Sequence, residues 1–294
     1  MTRFRLSWAR QRGERKAKEH GFETFPVDPF AIAENEDIMV MPKAPDQAGV
    51  SGGIIFDPAG TAIFYATNIT SEGFQRFTVA HELGHYFLDG HPEEIMKLSP
   101  LHVSRAGFTQ GDLSIEVEAD HFASGLLLPT RLVRQSLDRE RIGLEGIEVL
   151  AEKSRCSLTA CGIRAAECSP YPMAIVVSKG TQVSYAFMSD SFKQLGRLNL
   201  LRKGSPLPDT ATARFNRDPD NVTAGRRTSG EATLSHWFEG SRDVHLDEQV
   251  VGLGTYGYTL SVLSGDHLPS DPDEEEDEDA QLTESYTPKF AYGR

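Results

Sequence analysis

The clearest pattern of apolar and polar positions lies at residues 71–88, which contain no proline. Apolar side chains and two histidines recur there at spacings of three and four, so one helical face carries Phe74, Phe77, Thr78, His81, His85 and Leu88. Ser71 is a favoured N-cap, and Gly90 lies just past the predicted end, where a left-handed residue closes many helices. A second helix is predicted over residues 114–128, because Pro129 cannot continue it.

Upstream of these helices, the pattern changes to short segments of apolar, β-branched and aromatic residues. Three such segments, 38–41, 52–56 and 61–66, are predicted strands. The last two are joined by Asp57-Pro58-Ala59-Gly60, in which proline fixes φ and glycine accepts a positive φ, as a turn requires. These segments predict a small antiparallel sheet packed against the two helices.

Downstream, residues 130–167 keep a helical pattern with short loops. Segments 147–151 and 158–166 flank a turn in the layout of a helix-turn-helix. After Pro172 the pattern becomes that of strands, with hairpins predicted over residues 174–187 and 244–263. The chain is therefore predicted to be an α+β protein, with a helical segment between a first domain and a mixed C-terminal domain.

Composition places the chain among globular proteins, since 39% of its residues are hydrophobic and 25% are charged. No stretch reaches the roughly 18 apolar residues of a membrane span, and residues 1–20 are basic without the apolar core of a secretory signal. The three cysteines, Cys156, Cys161 and Cys168, lie in one short segment and match no common zinc spacing, so we expect reduced thiols. These features predict a cytoplasmic protein.

Negative charge is concentrated near the C-terminus. Eight acidic residues lie between positions 271 and 279 and account for more than half of the net charge of −13. Such a run predicts a solvated, disordered tail over residues 267–294. The chain has no broad basic footprint of the kind that marks nucleic-acid-binding proteins.

The segment His81-Glu82-Leu83-Gly84-His85 has the spacing of a metal site on a helix. Its two histidines are four residues apart, so both imidazoles project from one face and can reach one metal ion at about 2.0–2.1 Å. Glu82 follows His81 too closely to be a comfortable third ligand, but it can accept a proton from a metal-bound water. Zinc lowers the pKa of such a water to about 7 and polarises a carbonyl under attack. The segment therefore predicts zinc-dependent hydrolysis.

The third ligand is expected from the second helix. Glu116 and Asp120 are four residues apart and share a face, so one carboxylate can bind the metal while the other accepts the N–H of a ligating imidazole. Two alternatives stay open: His91, six residues beyond His85, and Glu118. Ala119 and Ala123 are small enough to let the two helices approach closely. Candidate donors for the oxyanion of the transition state are His121, His102 and Tyr86.

Three segments together resemble the ImmA/IrrE family of metallopeptidases: residues 26–33, 74–85 and 116–129. The resemblance covers about residues 25–130. It implies a zincin-like domain with a gluzincin-type site, in which His81, His85 and Glu116 bind Zn²⁺ and Glu82 is the catalytic base. It also implies a substrate, since members of the family cleave helix-turn-helix repressors of the Xre type in DNA-damage or mobile-element responses.

We expect a basic N-terminal helix (1–24), a zinc metallopeptidase domain (25–130), a helical linker resembling helix-turn-helix (131–169), a GAF-like C-terminal domain (170–266) and the acidic tail (267–294). The linker and the GAF-like domain are what the resemblance implies, whereas the acidic tail is not part of the family pattern. The expected function is site-specific cleavage of an Xre-type repressor in a stress response. The alternative is a non-enzymatic transcriptional regulator or toxin–antitoxin component. Charges within residues 144–168 nearly cancel, which argues against direct DNA binding.

Overall fold

The structure is a computed structural model that describes residues 3–44, 49–105, 113–196, 198–199, 201–238 and 244–265. The predicted acidic tail lies outside the described residues. Contacts between residues divide the chain into two compact units. The first extends to Gln135 and includes Leu150–Ala160, and the second comprises Ser136–Val149 and the described residues from Cys161 onward. The α+β class is confirmed, whereas the predicted domain boundaries stay predictions.

The first unit combines a four-stranded sheet with the helices that precede and follow it. In chain order its elements are α1 (Arg3–Glu19), α2 (Pro29–Asn35), β1 (Met39–Lys43), β2 (Val50–Asp57), β3 (Gly60–Ala66), α3 (Glu72–Phe87), α4 (His91–Leu98), β4 (Leu101–Arg105) and α5 (Leu113–Leu127). The strands lie in the order β1-β3-β2-β4. The sheet is predicted to be antiparallel, but β1 runs parallel to β3. The reason is the strand order: β2 is separated from β1 by one position, and β3 returns antiparallel to β2 into the space between them.

Helix α3 begins and ends close to the predicted positions. The Ser71 hydroxyl accepts a hydrogen bond from the backbone N–H of Phe74 at 3.4 Å, which caps the first turn. After Leu88, Gly90 has a φ of 91°, a conformation that glycine adopts without strain, and the chain turns there into α4. The apolar face of α3 packs into a core that includes Ile54, Ile63, Val79, Leu83 and Phe122.

Helix α5 is held at short distance by a helix on each side. On one side, a Cβ placed on Gly84 of α3 would lie 3.1 Å from Cα of Ala119, so the two backbones are nearly in contact. This close approach is the one predicted from the small size of Ala119. On the other side, α1 crosses α5 where a Cβ on Gly13 would overlap the carbonyl oxygen of Phe122. A Cβ on Gly125 would likewise overlap the backbone of α1. The orientation of α5 is therefore fixed by both neighbours.

Three further helices follow, and each contributes residues to both units: α6 (Thr130–Leu137), α7 (Leu144–Ser154) and α8 (Leu158–Cys168). Arg155, between α7 and α8, has a φ of 56°, which ends α7 and turns the chain. The resemblance of α7 and α8 to a helix-turn-helix stays a prediction. The three cysteines are free thiols, as expected.

The second unit is built on a five-stranded antiparallel sheet in the order β6-β5-β9-β8-β7. Its strands are β5 (Met173–Lys179), β6 (Gln182–Met188), β7 (Arg227–Thr233), β8 (His245–Gly252) and β9 (Thr259–Ser264). Its helices are α9 (Asp190–Lys193), α10 (Ala211–Asn216), α11 (Pro219–Thr223) and α12 (Leu234–Phe238), with a 3-10 turn at Gly254–Tyr256. Both predicted hairpins, β5–β6 and β8–β9, are confirmed. Within the described part of the chain, no helix is long and apolar enough to cross a membrane.

Candidate metal centre

Three predicted ligands from two helices meet in the first unit. His81 and His85 lie one turn apart on α3, with 3.1 Å between their Nε2 atoms. The carboxylate of Glu116 on α5 faces both rings: Oε2 lies 3.4 Å from Nε2 of His81, and Oε1 lies 3.4 Å from Nε2 of His85. Two imidazoles and one carboxylate form the donor set of many catalytic zinc sites, which leave a fourth position for water. The side chains therefore fit a metal ion of this kind.

Electrostatics favours the ligand forms of His85 and Glu116. Burial lowers the pKa of His85 to about 3, so its imidazole is neutral and keeps a free lone pair. Although burial opposes ionisation of Glu116, hydrogen bonds from His102, His81 and His85 hold the pKa of its carboxyl far below the usual range. A neutral imidazole and an ionised carboxylate are the states that bind divalent metals.

Glu82, the predicted base, is buried at the same place without a hydrogen-bonded partner. It is 0% exposed, and among the described residues neither carboxylate oxygen has a hydrogen-bond partner. Burial raises its pKa, while the charges of His81 and His102 and the nearby hydroxyl of Ser104 act in the opposite direction. A buried carboxylate without partners is costly, and a water on a neighbouring metal ion would satisfy it. A raised pKa also suits a group that must both take up and release a proton.

Glu248, in the second unit, is a buried carboxylate with a different environment, because it has several hydrogen-bond donors. Glu248 is also 0% exposed, but it accepts bonds from both the hydroxyl and the N–H of Thr212, at 2.6 and 2.7 Å. It also accepts bonds from the Thr210 hydroxyl at 2.9 Å and the Ala211 N–H at 3.3 Å. A structural carboxylate in this protein is thus surrounded by donors, whereas Glu82 is surrounded by metal-binding groups.

Asp120 lies where the sequence predicted a support for one ligand. Its Oδ1 is 2.9 Å from Nδ1 of His81, so it can accept the N–H of that ring and direct Nε2 toward the metal position. Burial alone would lower the pKa of His81, but the hydrogen bonds with Asp120 and Glu116 outweigh it and raise the pKa.

His91 and Glu118, the two alternative ligands, lie behind His85 and not at the metal position. Nδ1 of His91 is 3.1 Å from Nδ1 of His85, whose Nε2 faces Glu116. Nε2 of His91 is 3.3 Å from Glu118, which also accepts two hydrogen bonds from Arg5. Glu116 faces both imidazoles and neither alternative does, because the chain direction after Gly90 and the rotation of α5 place His91 and Glu118 on the far side of the His85 ring. The identity of the third ligand stays a prediction.

Of the three oxyanion-donor candidates, only His102 lies at the site. Its Nε2 is 2.9 Å from Oε1 of Glu116, and its ring centroid is 4.5 Å from that of His85. It comes from β4, a strand that the sequence pattern did not predict. His121 instead lies beside Arg10 of α1, with 3.0 Å between the nitrogens, and Tyr86 packs edge-on against Phe87.

A second group of donors overlaps the first. Atoms of Glu82, His85 and His102 also lie within 4.8 Å of one another, so they could in principle hold a cation. The set of His81, His85 and Glu116 is preferred because each imidazole then presents Nε2 to the metal and has a hydrogen-bond partner on Nδ1. That choice also leaves Glu82 free to act on a bound water.

Comparisons with known proteins concern the domain that carries these side chains. The profile of the IrrE N-terminal-like domain of peptidase family M78 matches residues 33–165, a range that includes all residues of the metal centre. Among solved structures, a transcriptional regulator from Mycobacterium tuberculosis is similar in fold, with a TM-score of 0.55 and 16% identity over 87% of this chain and 76% of that one. A search among curated proteins gives no match. The chain thus carries an IrrE N-terminal-like domain over residues 33–165, which supports its resemblance to the ImmA/IrrE family of metallopeptidases.

Proposed function

We propose that this protein is a zinc-dependent endopeptidase. The observation that carries the proposal is the position of Glu82, a fully buried carboxylate without a hydrogen-bond partner in the described structure, beside three converging metal ligands. A protein that uses the same fold only for binding has no need to bury an unpaired carboxylate there. The family match supports a peptidase in general.

The residues have distinct tasks in the proposed mechanism. His81, His85 and Glu116 hold Zn²⁺, which when bound makes a water molecule acidic and polarises the scissile carbonyl. Glu82 accepts a proton as the water attacks and then donates it to the leaving amine nitrogen. His102, with its pKa raised by Glu116 and Glu82 against the effect of burial, is the donor that we assign to the oxyanion.

The substrate is proposed to bind as an extended peptide along β4. This strand is the edge of the described sheet, and it carries His102 and Ser104 on one face. A peptide that adds to such an edge is held through main-chain hydrogen bonds, which every sequence offers. Leu98, which is 91% exposed, and Leu101 provide apolar contacts at the start of the strand.

We further propose that the substrate is an Xre-type helix-turn-helix repressor, cleaved in the cytoplasm during a stress or mobile-element response. The match to the IrrE N-terminal-like domain, together with the resemblance of its motifs, is the support for this assignment. Within the proposal, the first unit is zincin-like, residues 131–169 resemble a helix-turn-helix, and the second unit is a GAF-like domain that senses a signal or binds the repressor. The likeness to a transcriptional regulator favours the second candidate, a regulator without catalysis, but concerns the fold alone.

The test combines metal analysis with cleavage. The full-length protein is co-expressed with a candidate Xre-type repressor from the same genome, and fragments are identified by mass spectrometry. Glu82→Gln should bind zinc as the wild type does and produce no fragments. Glu93→Gln, a matched change on an exposed acid of α4, should cleave normally. A Glu82→Gln protein that cleaves at the wild-type rate would eliminate the proposed base, and a wild type without zinc would eliminate the metal centre.

A further inference from the structure

A row of polar side chains leads away from the metal-facing side of His85, and the mechanism above does not use it. It consists of His91, Glu118 and Arg5, which we call the Arg5 network. Nδ1 of His85 lies 3.1 Å from Nδ1 of His91, and Nε2 of His91 lies 3.3 Å from Oε2 of Glu118. Arg5 donates from Nε and Nη2 to the two oxygens of Glu118, both at 2.7 Å.

The protons of this network can be placed in one consistent way. His85 can bind a metal through Nε2 only if its proton is on Nδ1, and that proton is then donated to Nδ1 of His91. His91 therefore carries its own proton on Nε2 and donates it to the carboxylate of Glu118. The guanidinium of Arg5 neutralises the charge of Glu118 through a bidentate pair. Every buried donor in this arrangement has an acceptor.

Burial shows that the network is part of the protein interior. His85, His91 and Glu118 are at most 1% exposed, whereas the side chain of Arg5 is 49% exposed. A pair between exposed groups contributes little, but a carboxylate buried to this degree needs its partner. Loss of Arg5 would remove two hydrogen bonds that fix the position of Glu118, the acceptor for His91.

Arg5 lies on α1, which precedes the residues that match the family domain. This helix is nevertheless fixed against the metal-bearing helix α5. Gly13 and Gly125 let the two backbones meet so closely that a Cβ at either position would overlap the other helix. The position of Arg5 relative to Glu118 is therefore set by backbone packing as well as by the ion pair.

We propose that α1 completes the metal centre: Arg5, Glu118 and His91 are positioning residues that fix the orientation and the Nδ1–H tautomer of His85. Each imidazole ligand is then linked to a carboxylate through its Nδ1. His81 contacts Asp120 directly, and His85 is linked to Glu118 through the imidazole of His91. The inference rests on the proposed zinc function. Partners of this kind typically change metal affinity by about 10- to 100-fold.

The test uses the full-length protein and four variants: Arg5→Met, Glu118→Gln, His91→Phe and, as control, Arg15→Met. Arg15 lies on the same helix, is 68% exposed and pairs only with Glu19 in the described structure. Zinc affinity is measured by competition with a chelator of known affinity. The tautomer of His85 is read from its ¹⁵N chemical shifts in metal-free and zinc-loaded protein.

We expect Arg5→Met to weaken zinc binding about tenfold or more and to shift His85 away from the Nδ1–H form, with Arg15→Met equal to the wild type. If Arg5→Met lowers only the melting temperature and leaves affinity and tautomer unchanged, the pair is structural and the proposal is overturned. Should Arg5→Met not fold, Arg5→Lys, which keeps the charge without the bidentate geometry, serves in its place. A wild type that binds no zinc refutes the proposed function, while the tautomer in metal-free protein still decides the role of the network.

Discussion

The contact between Gly84 and Ala119 should control zinc affinity, because it sets the distance between the two helices that supply the ligands. In Gly84→Ala the new Cβ would lie 3.1 Å from Cα, 3.2 Å from the carbonyl oxygen and 3.3 Å from Cβ of Ala119. These distances are shorter than ordinary contacts, so α3 and α5 must separate by a few tenths of an ångström. Two of the neighbouring atoms belong to the backbone, which cannot turn aside as a side chain can.

The magnitude follows from the tolerance of the metal site. Metal–ligand distances are kept within about 0.2 Å, so a separation of a few tenths of an ångström displaces Glu116 by more than the site accepts. We expect zinc affinity to fall about tenfold, which corresponds to about 1.4 kcal/mol. The metal-free protein should lose between about 0 and 2 kcal/mol of stability, because alanine gains about 0.8–1 kcal/mol over glycine in a helix and overpacking costs about 1–3 kcal/mol. The loss of zinc affinity is therefore measured separately from the loss of stability.

Two measurements separate these effects: urea unfolding in the presence of a chelator, and zinc titration against a competing chelator. Gly162→Ala in α8 is the matched control, since its Cβ would meet Ile175 at 3.4 Å, an ordinary contact. It should stabilise the protein by up to about 1 kcal/mol and leave zinc affinity unchanged. Wild-type zinc affinity in Gly84→Ala would refute the reasoning that the close approach of α3 and α5 forms the site.

Three further predictions concern single side chains. Asp120→Ala should weaken zinc binding by about 10- to 100-fold in a chelator competition assay, because His81 loses the acceptor on Nδ1; an unchanged affinity would contradict that role. His102→Ala should lower kcat for repressor cleavage by about 10²- to 10³-fold while zinc content stays at the wild-type level, and loss of zinc instead would make His102 a ligand. Glu118 has a lowered pKa because hydrogen bonds from Arg5 and His91 outweigh burial, so its contribution to stability is present above the unfolded pKa near 4.5 and is lost as pH falls below it. Metal-free Glu118→Gln should therefore be less stable than the wild type at pH 7, with a smaller difference at pH 4, and a constant difference across this range would refute the assignment.

The sequence by itself determined the helix with the metal ligands. Helical periodicity over residues 71–88, with Ser71 as cap, places His81 and His85 on one face whatever the rest of the chain does. The same local reasoning predicted both hairpins that the second unit contains, because alternating apolar positions and glycine turns are properties of a few neighbouring residues. It also paired Glu116 with Asp120 by their spacing, before any contact was known.

Sequence periodicity missed the elements whose residues lack a strong pattern of their own. Strand β4 has five residues and lies at an edge of the sheet. It is determined by its pairing with β2 and not by its own composition. Strand β7, Arg227–Thr233, is mostly exposed and rich in polar residues, and it forms because β8 offers it a partner. Parallel pairing of β1 with β3 depends in the same way on contacts between distant segments.

Only the tertiary structure decided which of several acids and histidines faces the metal position. Glu116, Glu118 and His91 were all compatible with the spacing, and they are separated by the rotation of α5 against α3, which close packing at Gly84 and Ala119 fixes. The same packing put Arg5, from a helix that looked like a separate basic segment, behind a metal ligand. Local sequence patterns determine which side chains a helix or strand can present on one face. The distances between helices and strands depend on contacts between residues far apart in the chain. Metal binding depends on those distances.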